Sequence, residues 1–148
     1  MIRHRFSVVL AAVLLAALIA ACGQEPADTG SEAAVVVEAI DGSELHRITL
    51  SEHAAARLAI ETGEVQEATV AGERRKVVPY AAVLWDSTGA AWVYTSPEQR
   101  VFIRAPITVD RIDGDQAILI DGPDSGTAVV IQGASELWGS DTGVGGGH

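Results

Sequence analysis

Between residues 101 and 109 the side chains change character at every step. Val101, Ile103, Ala105, Ile107 and Val109 fall on one side, and Phe102, Arg104, Pro106 and Thr108 on the other. A period of two belongs to a β-strand with one buried face and excludes a helix. Pro106 has no N–H to give a ladder, which predicts a sheet edge or a bulge at that point. Asp113-Gly114 then turns the chain into QAILI, and the stretch Gly122 to Gly126 turns it again into TAVVIQ. Strand after strand at short spacing, with turn residues between, predicts an all-β fold: a small antiparallel β-barrel or sandwich with one short helix.

The preceding residues fit this scheme. VVVEAI and SELHRITL flank Asp41-Gly42, a dipeptide that favours a type I′ hairpin turn. Ser51 reads as the N-cap of a helix over EHAAARLAI, ended by Gly63. EVQEATV and KVVPYAAVLW read as strands with the polar AGERR between them, and GSDTGVGGGH, residues 139–148, reads as a Gly-rich tail too polar to fold. The predicted organisation is a leader over 1–21, a flexible tether over 22–34, one β-domain over 35–138 and a disordered tail over 139–148. No internal repeat is visible.

The first 21 residues carry a basic start, Arg3 and Arg5, and an unbroken apolar run from Val8 to Ala21. Such a run is shorter than the roughly 20 residues a spanning helix needs, and it fits a secretion signal. Leu18-Ile19-Ala20-Ala21-Cys22 resembles the lipobox of bacterial lipoproteins, and Cys22 is the only cysteine in the chain. The resemblance implies that Cys22 becomes the new amino terminus and carries a diacylglyceryl group. Two or three acyl chains hold a protein durably where one does not. The expected location is the extracytoplasmic face of a cell membrane, periplasmic in a Gram-negative host.

Loss of the leader removes two arginines and no acid, leaving 8 basic and 20 acidic residues, a net charge of −12. A chain this acidic is a poor ligand for nucleic acid and stands off anionic lipid. Metal ligation finds little support. His46, His53 and His148 have no paired spacing, and the acids at 110–115 and 121–124 lack the pattern of an EF-hand loop and read as hairpin turns. Gly122-Pro-Asp-Ser-Gly126 places its serine one residue late for a nucleophile elbow, and the terminal glycines follow no strand. No catalytic residue, no metal and no cofactor is therefore expected. Arg74-Arg75-Lys76 is the one basic cluster, read as an edge-strand guard with the capacity to meet an acidic partner or lipid headgroups.

In YAAVLWDSTGAAWVYT a turn over Asp86 to Gly89 would set Trp85 opposite Ala90, Val83 opposite Trp92 and Ala81 opposite Tyr94. Trp85 and Trp92 would then be diagonal neighbours, closing a core or, with Tyr94, offering a patch to a docking partner. Val78-Pro79-Tyr80-Ala81-Ala82-Val83, the Asp86–Gly89 turn, Trp92-Val93-Tyr94, Arg104 to Val109, Asp113-Gly114-Asp115, Gly122 and Val129 to Ala134 with Leu137 stand in the order found in one known domain. The chain resembles, over residues 46–138, the membrane-proximal domain of periplasmic adaptor subunits, the membrane fusion proteins of efflux pumps. ITLSEHAAARLAIETGEV is similar to the segment ahead of the lipoyl half in heavy-metal-type adaptors. Family members place a lipoyl domain and a helical hairpin where Glu67 to Val77 runs here, Gly126-Thr127 replaces their Gly-Asp, and the N-terminal methionines of metal exporters are absent. The resemblance implies a lipid-anchored accessory that docks onto a membrane transporter, with no chemistry of its own. The alternative is a small ligand-binding or envelope-structural lipoprotein that keeps the fold without a pump.

Overall fold

The computed structural model describes residues 33–143; the leader, Cys22, the tether up to residue 32 and the tail from residue 144 lie outside the described residues. The chain runs through β1 (Val35–Ala39), β2 (His46–Leu50), α1 (Glu52–Arg57), β3 (Glu61–Glu64), β4 (Gln66–Val70), β5 (Glu73–Pro79), a 3-10 turn (Tyr80–Ala82), β6 (Leu84–Trp85), β7 (Ala91–Glu98), β8 (Val101–Asp113), β9 (Gln116–Asp121), β10 (Ala128–Gln132) and α2 (Ala134–Asp141). The fold is all-β, as the alternation predicts.

The strands follow the order β3-β10-β7-β8-β9-β5-β4, every pair antiparallel. Its two ends are consecutive in sequence and separated by Val65 alone. Val65 N donates to Thr127 O (2.9 Å) and its carbonyl accepts from Gly126 N (2.8 Å), which continues the β3–β10 pairing up to the start of β4, so one run of chain lies at both ends of a sheet curled into a half-barrel. Of the two expected architectures, the curled sheet is the nearer to a barrel.

The long strand β8 makes the curl possible. Its first residues pair with β2 and β7, its last with β9, and the register shifts on either side of Val109. Pro106 lies between the stretch paired with β2 and the stretch paired with β9, where the second neighbour is missing. A residue without an N–H costs least at such a gap.

Alternation along β7 and β10 divides the interior into two apolar clusters. Val93 and Val129 face the inside of the curl, with Val65, Val78, Ala82, Ile107, Ala117 and Leu119 packed there. Tyr94 and Val130 face the other way, packed with Ile48, Leu50, Phe102, Ala54 of α1 and Ala134 and Leu137 of α2. Phe102 and Arg104 thus lie under cover. The expected single buried face of this strand is, in its first half, two covered faces.

Local chemistry explains the elements. Ser51 caps α1 as predicted, its Oγ accepting from Ala54 N at 3.2 Å. The helix ends at Arg57, and Gly63 lies inside β3 with Ile131 close above it, so it ends no helix. At the first hairpin only Gly42 has a positive φ, +75°, whereas a type I′ turn needs two such residues. That pattern occurs instead at Ala71 and Gly72, φ +51° and +87°, which join β4 to β5. The predicted tail also needs correction, because residues 139–141 complete α2 and Asp141 is buried. A second helix therefore joins the one expected.

Candidate functional site

The tryptophan hairpin is built around Asp86. Its Oδ1 accepts from Thr88 N (2.8 Å), Thr88 Oγ1 (2.6 Å) and Ala90 N (3.0 Å), and its Oδ2 accepts from the Trp92 indole Nε1 (3.0 Å). These donors, the Thr88 hydroxyl and the indole foremost, hold the carboxyl well below the usual carboxylate range. Leu84 pairs with Trp92 and Trp85 with Ala91, one residue away from the predicted register. The cause is a loop of five residues, Asp86 to Ala90, in place of four. A one-residue slip moves side chains to the opposite face, so Trp85 and Trp92 are not neighbours on one face.

Trp92 forms one wall around Arg104, whose Cζ lies 4.5 Å from its ring centre; Trp138 of α2 forms the other at 5.1 Å. Arg104 stands opposite Tyr94 and diagonal to Trp92 on neighbouring strands, which brings the three together. Its Nε is buried without a hydrogen-bond partner among the described residues, and the nearest carboxylate, Asp141 Oδ2, is 3.7 Å away.

Asp141 is the centre of the cluster. Its side chain is 1% exposed, its Oδ2 accepts from Tyr94 Oη at 2.7 Å, and its Oδ1 lies 2.7 Å from His46 Nδ1. Burial, the hydrogen bond to Asp141 and that residue's charge push the Tyr94 phenol far above its ordinary pKa, with Arg104 opposing. A phenol held in its neutral form is a poor base or nucleophile. The arrangement instead ties β2, β7, β8 and α2 together through one buried carboxylate.

The residues singled out in the sequence separate accordingly. Trp85 is 50% exposed and presents its ring to solvent. Trp92 is half-buried against Arg104, and Tyr94 is fully buried, with no surface to offer a partner. Arg74, Arg75 and Lys76 are consecutive in β5, so they alternate between its faces. Each has an acid of its own: Arg74 with Glu67 at 3.3 Å, Arg75 with Glu73 at 2.7 Å, Lys76 with Asp124 at 3.3 Å. Lys76 also donates to Gly122 O at 2.8 Å. Tyr80, 46% exposed, joins Trp85 as an aromatic left in solvent.

His46, Asp141, Arg104 and Trp138 were not singled out as a group. The signal for Asp141 was present: Ala134, Leu137, Trp138 and Asp141 stand at i, i+3, i+4 and i+7. Its polar last member disguised the stripe. His46, which has no histidine at paired spacing, contacts a residue 95 positions away.

No protein-family model and no curated protein matches the chain. Among solved structures it is similar to the NMR structure of a 180-residue piece of SilB from Cupriavidus metallidurans CH34, comprising the N-terminal metal-binding site and the membrane-proximal domain. The identity is 20% and the TM-score 0.45, over 57% of this chain and 48% of that one, so the chain spans about half of the SilB piece.

Proposed function

We propose that the protein is a lipid-anchored, extracytoplasmic, adaptor-like module that docks onto a membrane transporter through surface complementarity and without chemistry. The observation that carries this reading is Trp85: half its surface stands in solvent on a hairpin whose turn is pinned by Asp86, on a curled sheet with its own apolar core. A rigid exposed indole is the usual anchor of a protein interface. The ordered likeness of residues 46–138 to adaptor membrane-proximal domains supplies the kind of partner, and the lipobox-like run before Cys22 supplies the anchor. Inside the curl of the sheet, Val65, Val78, Val93, Ala117, Leu119 and Val129 pack on one another as an apolar core.

The test is affinity purification of the full-length protein from detergent-solubilised membranes of its host, with mass spectrometry of Cys22 in parallel. A transporter subunit recovered with the wild type and lost with Trp85→Ala, at unchanged melting temperature, is the expected result. Recovery of no transporter subunit with intact lipoprotein counts against docking. An unmodified Cys22 still preceded by the leader removes the anchor.

A further inference from the structure

In a chain so rich in acids, six of the eight lysines and arginines among the described residues are paired with a carboxylate; Arg57 and Arg100 are not, and Arg100 is the one beside a cleft. It occupies the turn between β7 and β8 with φ +62°, in the left-handed region that glycine or asparagine enters more readily. Its carbonyl accepts from Leu50 N at 3.0 Å, which fixes the backbone there. Strain of this kind is a pointer to function when a second feature coincides with it. Here that feature is the cleft.

Arg100 lines a half-open cleft of about 230 Å³ between α1, the start of β3 and this turn. Ala55, Ile60 and Phe102 supply an apolar wall; Thr62, Ser96, Gln99 and Arg100 supply polar groups on the other side. A concave site that sets apolar wall against convergent polar groups is a usual form of small-molecule site. A guanidinium with no carboxylate partner among the described residues is suited to a planar anion, and the apolar wall to a short hydrocarbon tail.

We propose that this cleft binds a small aliphatic carboxylate, its charged end on Arg100 and its tail against Ala55, Ile60 and Phe102. The inference is independent of the docking reading, since Trp85 lines no part of this cleft. The same chemistry is carried by a free acid and by the carboxyl end of a peptide with an aliphatic last residue; the free acid is the occupant proposed.

The test is an NMR titration of the full-length protein in detergent micelles with hexanoate, hexanamide as its neutral partner, and N-acetyl-Ala-Leu as free acid and as amide. Saturable shifts at Thr62, Gln99 and Phe102 with hexanoate, and binding of hexanamide at least tenfold weaker, are expected. Arg100→Gly suits the φ of this turn and removes the guanidinium without threatening the fold; it should weaken hexanoate at least tenfold, and Arg100→Asn should do the same. Equal binding of acid and amide, undiminished binding by Arg100→Gly, or no saturable shift overturns the proposal. Tighter binding of the peptide acid than of hexanoate reassigns the cleft to a partner's chain end and overturns the free-acid assignment.

Discussion

Asp141 lies in the last turn of α2, the end of a helix where the backbone dipole is least favourable to an acid. It is tolerated because Tyr94, His46 and Arg104 gather around it from three strands. Tyr94→Phe leaves this buried carboxylate one donor short and should cost about 1–3 kcal/mol in urea-induced unfolding. The pH dependence has a definite sign. The folded-state pKa of Tyr94 is raised, so its contribution is whole below the phenol's ordinary value, about 10, and fades as pH climbs above it. The wild type should lose stability in that alkaline range more steeply than Tyr94→Phe. Asp86 behaves in the opposite sense. Its pKa is depressed, so its contribution is present above the ordinary carboxylate value, about 4, and disappears only as pH falls well below it. The indole N–H resonance of Trp92, bonded to Asp86 Oδ2, should therefore hold its shift through pH 4, roughly where an ordinary carboxylate titrates, and a midpoint there would contradict the hydrogen-bond scheme.

Among the elements, α2 owes most to its surroundings. It has eight residues, an interior glycine at 139 and no side-chain N-cap bond, so propensity alone does not maintain it. Leu137, fully buried between the sheet and the helix, holds it down. Leu137→Ala should cost about 2–5 kcal/mol, read from the denaturation midpoint, and should loosen the stacking of Trp138 on Arg104. The glycine that begins α2 is required by contacts that its sequence neighbours do not show. In the fold Gly133 has φ +81°, and a Cβ there would strike Ile60 Cδ1 and press on Leu58 O. The tryptophan hairpin shows a related limit: both strands were readable from composition, but the register depended on how many residues Asp86 gathers into its turn.

For the molecule as a whole, charge and topology act separately. The acidic excess governs what approaches, because a field of one sign repels polyanions at a distance. Even Arg74, Arg75 and Lys76 are matched by Glu67, Glu73 and Asp124. The protein should therefore show no retention on heparin and no electrostatic gain in partitioning to vesicles of anionic over zwitterionic lipid, whether or not Cys22 is acylated; co-sedimentation at low salt measures both. The curled sheet governs what remains available for contact. Around its apolar core, the exposed rings of Trp85 and Tyr80 and the cleft beside Arg100 stand at the surface.

Local sequence by itself determined the all-β class, the capped first helix, the placing of Pro106 where a ladder lapses and the acidity of the surface, because each depends on neighbours a few residues apart. The curl of the sheet that brings β3 and β4 to its two ends, the opposed faces of the two tryptophans and the assembly of His46, Tyr94, Arg104 and Asp141 belong to the tertiary structure alone. Those features join residues from distant strands, and the pairing that joins them is set by packing rather than by any local pattern.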